Sequence, residues 1–345
     1  MKVVCDKDVP FLKGVLEPYG EVVYKKGTEI TSDDVRDADA LILRTRTRCN
    51  AELLEGSSVK LIATATIGTD HVDFEYCNSH GIVVHNAAGC NAGGVMQYVF
   101  SALYGVAARK GIKIDGGTLG IVGVGNVGKK VEKMAEYLGF NVLRCDPPRA
   151  EAEGPDGFCS LEHLLANSQI VTMHVPLDDT TRRMADEKFF AMMPTGSIFI
   201  NASRGEVVDE EALIQDMPKF GAVVIDTWNG EPDINEELMD MVDIATPHIA
   251  GYSAEGKMNA TNIVLREFMG HIGYEGEAPL LQLAPPPHPH VKAAAESEAL
   301  LSIYSPLEDT ATLKSAPGDF ESLRNNYKLR REPSAFAIEI LKNVD

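Results

Sequence analysis

Short apolar runs alternate with amphipathic stretches along most of this chain. Apolar runs bounded by glycine, asparagine or aspartate read as strands covered on both faces, and i, i+3, i+4 spacing reads as helix. Up to residue 90 the pattern predicts strands over 2–5, 21–24, 40–44, 60–66 and 82–85, with helices near 10–18, 32–37, 50–55 and 73–80. That alternation is a compact parallel α/β unit. A longer helix over 93–109 leads out of it, although Gly93 and Gly94 are poor residues for a helix interior. The alternation then resumes, with strands over 118–123, 141–145, 170–174, 197–200, 222–226 and 243–246, and a further helix over 251–275. Pro285-Pro286-Pro287-His288-Pro289-His290 is a stiff break. Beyond it, Leu300–Tyr304 and Ala335–Leu341 read as strands, and Phe320, Leu323 and Tyr327 share one face of a helix. So short a tail does not close a core alone, and it packs on the parent chain or on a second subunit.

The most specific pattern is Gly123-Val124-Gly125-Asn126-Val127-Gly128, entered by the apolar run 118–122. A helix leaves it, with Val127, Val131, Met134, Ala135 and Leu138 on one face, and the next strand ends at Cys145. Each glycine has a physical job. Gly123 makes the tight turn, Gly125 lets a pyrophosphate approach the backbone, and Gly128 lets helix and strand pack closely. The helix N-terminus, where Asn126 and Val127 lie, offers unpaired N–H groups and a positive dipole end. Asp146 follows the second strand and can accept hydrogen bonds from a ribose 2′-OH while repelling a 2′-phosphate. The pattern therefore points to a dinucleotide, and to NAD over NADP.

Totals narrow the partners. Acidic residues outnumber basic ones by 51 to 32, for a net charge of −19, which argues against nucleic acid and anionic membranes. A small anionic substrate needs only a local positive pocket. Cys5, Cys49, Cys77, Cys90, Cys145 and Cys159 form no CxxC pair and no metal-site spacing, so no metal is expected and the thiols read as reduced. Met1-Lys2 runs directly into the first strand, with no signal peptide and no run of membrane-spanning length, which gives a cytoplasmic expectation.

In open α/β sheets ligands bind beyond the carboxyl ends of the strands. Beyond 197–200 stands Asn201-Ala202-Ser203-Arg204-Gly205, beyond 222–225 stands Asp226-Thr227-Trp228-Asn229-Gly230-Glu231-Pro232, and beyond 243–246 stands Pro247-His248-Ile249-Ala250-Gly251-Tyr252. An arginine, a glutamate and a histidine thus reach one sheet edge from three successive strands. That set suits oxidation of a hydroxy acid. His248 can take the hydroxyl proton near neutral pH, Glu231 can fix its tautomer, and Arg204 can grip a carboxylate bidentately. Taken singly, each has a plain structural use: a lone histidine, one of nine here, is usually just hydrogen-bonded, and arginine more often forms a surface ion pair. In the first unit Arg44, Arg46 and Arg48 alternate past a strand, and an extended chain would place all three on one face, suited to a phosphate or carboxylate. Thr45 and Thr66 end neighbouring strands and could bind a polar substrate; each could equally be an ordinary strand-end threonine.

With Ala63-Thr64-Ala65-Thr66-Ile67-Gly68-Thr69-Asp70-His71-Val72-Asp73 added, these motifs together resemble the D-2-hydroxyacid dehydrogenases. Ala88-Gly89-Cys90-Asn91-Ala92, Cys145-Asp146-Pro147-Pro148-Arg149-Ala150 and the tail from Pro317 to Glu332 resemble the branch that oxidises 4-phospho-D-erythronate with NAD. The resemblance implies a flavodoxin-like substrate domain (1–92 and 251–284), a Rossmann NAD domain (93–250) and a small C-terminal α+β dimerisation domain (285–345), hence a homodimer. It implies Arg204, Glu231 and His248 as catalytic residues and Thr45, Thr66 and Tyr252 on the substrate. It places Asp146, Val175, Ala202, Ser203, Arg204, Asp226 and Gly251 on NAD. Thr45 stands where serine is usual, Ser203 where cysteine is usual and Val175 where threonine is common, and the tail is shortened. Two other readings fit the same motifs: a dehydrogenase for another D-2-hydroxy acid such as phosphoglycerate, and a nicotinamide-sensing binding protein of the same fold.

Overall fold

The computed structural model describes residues 1–341. Two compact units divide the chain: Met1–Asn91 with Ala254–Ala284, and Ala92–Ser253 with the chain from Pro285 onward.

In the first unit five strands, β1 (Lys2–Asp6), β2 (Glu21–Lys25), β3 (Ala40–Leu43), β4 (Leu61–Thr64) and β5 (Val83–Asn86), pair in parallel in the order β2-β1-β3-β4-β5. Strand side chains alternate between two cores. Val3, Cys5, Ile42 and Ala63 pack with Val264, Leu265 and Phe268 of the helix Ala254–His271, and Val4, Leu41, Leu43 and Ile62 pack with Leu53, Leu54 and Cys77. The helix expected over 10–18 is absent. Phe11 and Gly14 take positive φ (62° and 88°), and only a 3-10 turn at Glu17–Tyr19 forms. Leu12 and Leu16 are buried, so helical spacing arose from a turn that reaches the core.

In the second unit β6 (Thr118–Val122), β7 (Asn141–Cys145), β8 (Ile170–Met173), β9 (Ile198–Asn201), β10 (Ala222–Ile225) and β11 (Ile244–Ala245) form a six-stranded parallel sheet in the order β11-β10-β9-β8-β6-β7. The chain leaves β6 to one side and returns on the other at β8, so the switch point lies beside the glycine turn. The helix Ala92–Lys110 starts earlier than its glycines suggested. A Cβ at Gly93 would lie 2.1 Å from Glu332 Oε2, and one at Gly94 would lie 3.0 Å from Ser253 Oγ. Glycine is there for close packing.

The tail packs on this second unit. Ala299, Leu300 and Tyr304 join Tyr98, Leu103, Leu119 and Ile121 in one core, and Leu313 and Phe320 join Phe199, Leu238 and Val242 in the other. The strand expected at Leu300–Tyr304 is instead the end of a helix, Glu296–Ile303. A short apolar run cannot tell the two apart, and acidic Glu296 and Glu298 favour a helix start. A helix at Pro306–Ser315 carried no clear apolar stripe. The helix with Phe320 and Leu323 stops at Asn325, short of Tyr327. Of the run 335–341 only β13 (Ala337–Ile338) is strand, paired in parallel with β12 (His290–Val291).

Gly93→Ala should therefore destabilise the protein by about 1–3 kcal/mol through overpacking. Gly270→Ala, at an exposed position near the end of the helix Ala254–His271 where a Cβ meets nothing within 4 Å, should be neutral or stabilising by about 0.5 kcal/mol. Urea unfolding midpoints of the two variants check both signs.

Candidate active site

Beyond β6 the chain turns at Gly123, φ +87°, where a Cβ would lie 2.8 Å from the His174 carbonyl and 2.9 Å from Val175 Cγ1. A Cβ at Gly128 would lie 2.2 Å from Gly123 O, whereas one at Gly125 meets nothing within 4 Å. The turn is thus closed on its inner side and open at Gly125. The helix Asn126–Tyr137 begins there with no side-chain cap, so its first N–H groups are left for a ligand. Asp146 caps the helix Pro147–Glu153, accepting from Arg149 N at 3.1 Å and from Val124 N at 2.7 Å. A carboxylate accepts about four hydrogen bonds, so capacity remains for a sugar diol. The guanidinium of Arg149 is engaged by Glu153 at 2.6 Å and by Val124 O at 2.8 Å. An open glycine, a bare helix N-terminus and a carboxylate at the strand end fit NAD.

After β9, buried Asn201 shapes the next loop. Its Oδ1 accepts from Ser203 N (3.1 Å) and Ser203 Oγ (2.8 Å), and its Nδ2 donates to Arg204 O (2.9 Å). Ala202 lies half-buried between them. Gly205 locks this loop onto the following one, since a Cβ there would sit 2.0 Å from Trp228 C. Arg204 is exposed, donates to Ser203 O at 2.7 Å, and forms no ion pair with any described residue.

Asp226, 1% exposed, organises the loops after β10 and β11. Its Oδ1 accepts from Thr246 Oγ1 (2.6 Å) and Ile249 N (2.8 Å), its Oδ2 from Ala250 N (2.9 Å), and its carbonyl from His248 N (2.8 Å). Burial pushes its carboxyl upward against the pull of His248 and these donors. Tyr98 Oη reaches Thr246 Oγ1 at 2.7 Å and Trp228 Nε1 donates to Thr246 O at 2.9 Å, so the support is itself supported. His248 is thereby held at φ +56°, a strained backbone region for a non-glycine residue. Its Nδ1 meets Glu231 Oε2 at 2.8 Å and Oε1 at 3.1 Å, and no described residue engages Nε2. Glu231 also accepts from Trp228 N at 3.0 Å and from Arg324 at 3.3 Å. Burial raises the Glu231 carboxyl, but His248, the Trp228 N–H and Arg324 outweigh it, and the net displacement is downward from 4.5. Its stabilising contribution is therefore present above pH 4.5 and is lost as pH falls further.

Gly251 and Tyr252 follow, with Tyr252 edge-on to Tyr327 at 6.2 Å. Buried Arg330 holds this stretch from the tail, donating to Ile249 O (2.9 Å), Ala250 O, Tyr252 O (3.4 Å), Gly94 O (3.0 Å) and Gln97 Oε1 (3.1 Å). All five guanidinium hydrogens are matched, and the group stacks 4.3 Å over the Tyr304 ring.

In the first unit Arg44 and Thr45 follow β3, and Thr66 lies just past β4. Arg44 donates to Asp8 O at 3.3 Å, Thr45 is exposed, and Thr66 Oγ1 lies 2.6 Å from Thr64 Oγ1. The extended Arg-Thr-Arg-Thr-Arg expectation fails. The chain turns at Thr45–Arg46 because buried Thr47 donates to Gly27 O (2.9 Å) and Cys49 N donates to His71 O (2.8 Å).

Residues 100–250 match the family model described as D-isomer specific 2-hydroxyacid dehydrogenase, NAD binding domain. The erythronate-4-phosphate dehydrogenase of Bacteroides fragilis is 45% identical over 99% of this chain and 100% of its own length. That of Yersinia pestis is 39% identical over 98% of this chain and 95% of its own. The chain belongs to the erythronate-4-phosphate dehydrogenases, within the D-isomer specific 2-hydroxyacid dehydrogenases. Among solved structures, NAD-bound 3-phosphoglycerate dehydrogenase of Entamoeba histolytica is similar with a TM-score of 0.65 and 29% identity, over 80% of this chain and 96% of that one. D-lactate dehydrogenase of Aquifex aeolicus, solved with NAD and lactic acid, gives 0.63 and 25%, over 79% and 96%.

As a member of this family the chain carries residues that sequence reasoning passed over: Asn201, Thr246, Arg324 and Arg330 touch the loops of Arg204, Glu231 and His248. Asn201 sat in plain view at a strand end, but the tail arginines carried no local signal. Asp226→Asn would turn an amide N–H₂ toward backbone N–H groups or toward Thr246. It should cost about 1–3 kcal/mol of stability. It should also lower turnover by releasing the His248 loop. Thermal unfolding and kcat, measured on one preparation, check the pair of effects.

Proposed function

We propose that this protein oxidises 4-phospho-D-erythronate to 2-oxo-3-hydroxy-4-phosphobutanoate with NAD, a step of pyridoxal 5′-phosphate biosynthesis. The carrying observation is the His248–Glu231 contact at 2.8 Å, which leaves Nε2 as the working nitrogen. In this reading the substrate 2-hydroxyl donates its proton to Nε2 as the C2–O bond becomes a carbonyl. NAD, when bound, supplies the acceptor for the hydride that leaves C2. Glu231 stabilises the imidazolium that forms, and Arg204, exposed and with no described carboxylate partner, pairs with the substrate C1 carboxylate and polarises the reacting carbon. Gly123 to Gly128 and Asp146 hold the dinucleotide, with Val175, Ala202, Ser203, Asp226 and Gly251 lining it. Both Asp226 carboxylate oxygens are engaged within the protein, so its part is to shape the pocket. Thr45, Thr66, Arg44 and Tyr252 are assigned to the substrate.

No described helix is long and apolar enough to cross a membrane. We place the protein in the cytoplasm, as a homodimer joined through the tail from about residue 286; light scattering should give twice the chain mass.

His248→Ala should lower kcat about a hundredfold or more while NAD affinity holds. Assays with 4-phosphoerythronate and phosphoglycerate side by side test the substrate, and turnover of phosphoglycerate alone would overturn it. Asp146→Ala should weaken NAD and narrow its advantage over NADP. An unchanged ratio of kcat/KM for the two cofactors would show that the 2′-OH is read elsewhere.

A further inference from the structure

The tail reaches the proton-transfer pair directly. Arg324 lies in the short helix Phe320–Asn325, which Phe320, 1% exposed, anchors in the core of the second unit. Its guanidinium meets Glu231 Oε2 at 3.3 Å, the same oxygen that lies 2.8 Å from His248 Nδ1. An imidazole and a guanidinium thus share one carboxylate oxygen. The three side chains are 32%, 17% and 26% exposed for Arg324, Glu231 and His248, so water screens them less than it screens a surface pair. The same segment also grips the histidine loop from its far end, through Tyr327 against Tyr252 and Arg330 on Ile249 O and Ala250 O. The contact is therefore built into a fixed frame.

We propose that Arg324 is a positioning residue for the reaction: it shares the Glu231 carboxylate with His248, orients it, and keeps the histidine from being overstabilised as a cation. The proposal rests on His248 and Glu231 being the proton-carrying pair. Its sign follows from charge. Glu231 favours imidazolium, and Arg324 draws on the same negative charge while repelling a second positive one. Removing Arg324 makes imidazolium more favourable. Oxidation, which needs the neutral ring, should then lose rate on its acid side, and reduction, which needs the charged ring, should extend to higher pH. Asp226, Asp309 and Arg330 are the other charged groups around the histidine loop. Asp226 lies beneath the loop, its carboxylate holding three hydrogen bonds, and its electrostatic pull on His248 is the same in every variant compared. Asp309 accepts from Tyr304 Oη and Tyr327 Oη at 2.9 and 3.2 Å, and Arg330 is engaged by carbonyls.

The test is the pH dependence of kcat/KM in both directions for the full-length enzyme, Arg324→Met, Arg324→Lys, Glu231→Gln and the Glu231→Gln/Arg324→Met pair. With Arg324→Met the acid limb of oxidation should move up by about half a pH unit to one unit, and the alkaline limb of reduction should move the same way. Arg324→Lys should restore most of the original position. Glu231→Gln should move the limb down, and adding Arg324→Met to it should move it little further. A uniform loss of rate with unmoved limbs in Arg324→Met, while Glu231→Gln still shifts them, would overturn the role of Arg324 and leave the pair intact. Limbs unmoved by Glu231→Gln as well would remove the pair itself from the proton transfer, and this proposal with it.

Discussion

One buried carboxylate sets the geometry of this site. Asp226 takes Thr246 Oγ1, Ile249 N and Ala250 N on its side chain and His248 N on its carbonyl. Those four contacts close the loop after β11 around a residue at φ +56°. A backbone in that region persists only where its surroundings over-determine it. The constraint holds Nδ1 against Glu231, and no described residue engages Nε2. The Tyr98–Thr246–Asp226 chain carries that constraint back to the helix Ala92–Lys110. The His248 loop is thus fastened to the most buried helix of its unit.

The parallel sheet explains why loops far apart in sequence can be tuned together. Its strands end at one edge, and neighbouring loops are close enough to be locked by single contacts. Gly205 against the Trp228 backbone ties the Arg204 loop to the Glu231 loop, and Gly123 against His174 and Val175 ties the dinucleotide turn to the loop after β8. Glycine is required at such points because backbone meets backbone, and a methyl group would have to push two loops apart.

What could be read from the sequence is what is encoded locally. The glycine turn announces itself because its three special positions lie within one turn and each answers a steric demand of its neighbours. Strand ends announce Arg204, Glu231 and His248 because parallel strands deliver them to one edge. The failures share a cause in distance or ambiguity. Leu300 to Tyr304 is too short to distinguish strand from helix, and Leu12 and Leu16 imitate helical spacing from within a turn that Phe11 and Gly14 break. Arg324 lies 93 positions from Glu231, and Arg330 lies 81 from Ile249, so no spacing rule could join them. The tail beyond the stiff Pro-rich break is too short to close a core alone, which predicts packing on the parent chain or on a second subunit, and it completes two cores of the second unit.

Charge placement resolves the tension between a chain of net charge −19 and an anionic substrate. The arginines of the second unit are not interchangeable. Arg144 is paired with Glu132, Arg149 with Glu153 and Arg183 with Asp209. Arg330 is buried under loop carbonyls, and Arg324 shares Glu231 with the histidine. Arg204, at the sheet edge, is exposed, with no described ion pair and only the Ser203 carbonyl to steady it. A guanidinium in that state need not break a salt bridge before it pairs with a carboxylate, so little of the new interaction is lost to reorganisation. An overall acidic molecule can therefore take an acidic ligand where an exposed cation at the site has no ion pair to break, whatever the sum of charges. The same logic applies where Arg149 sits beside Asp146, the residue proposed above to read the ribose. Glu153 already neutralises Arg149, and Asp146 is left to set the local sign.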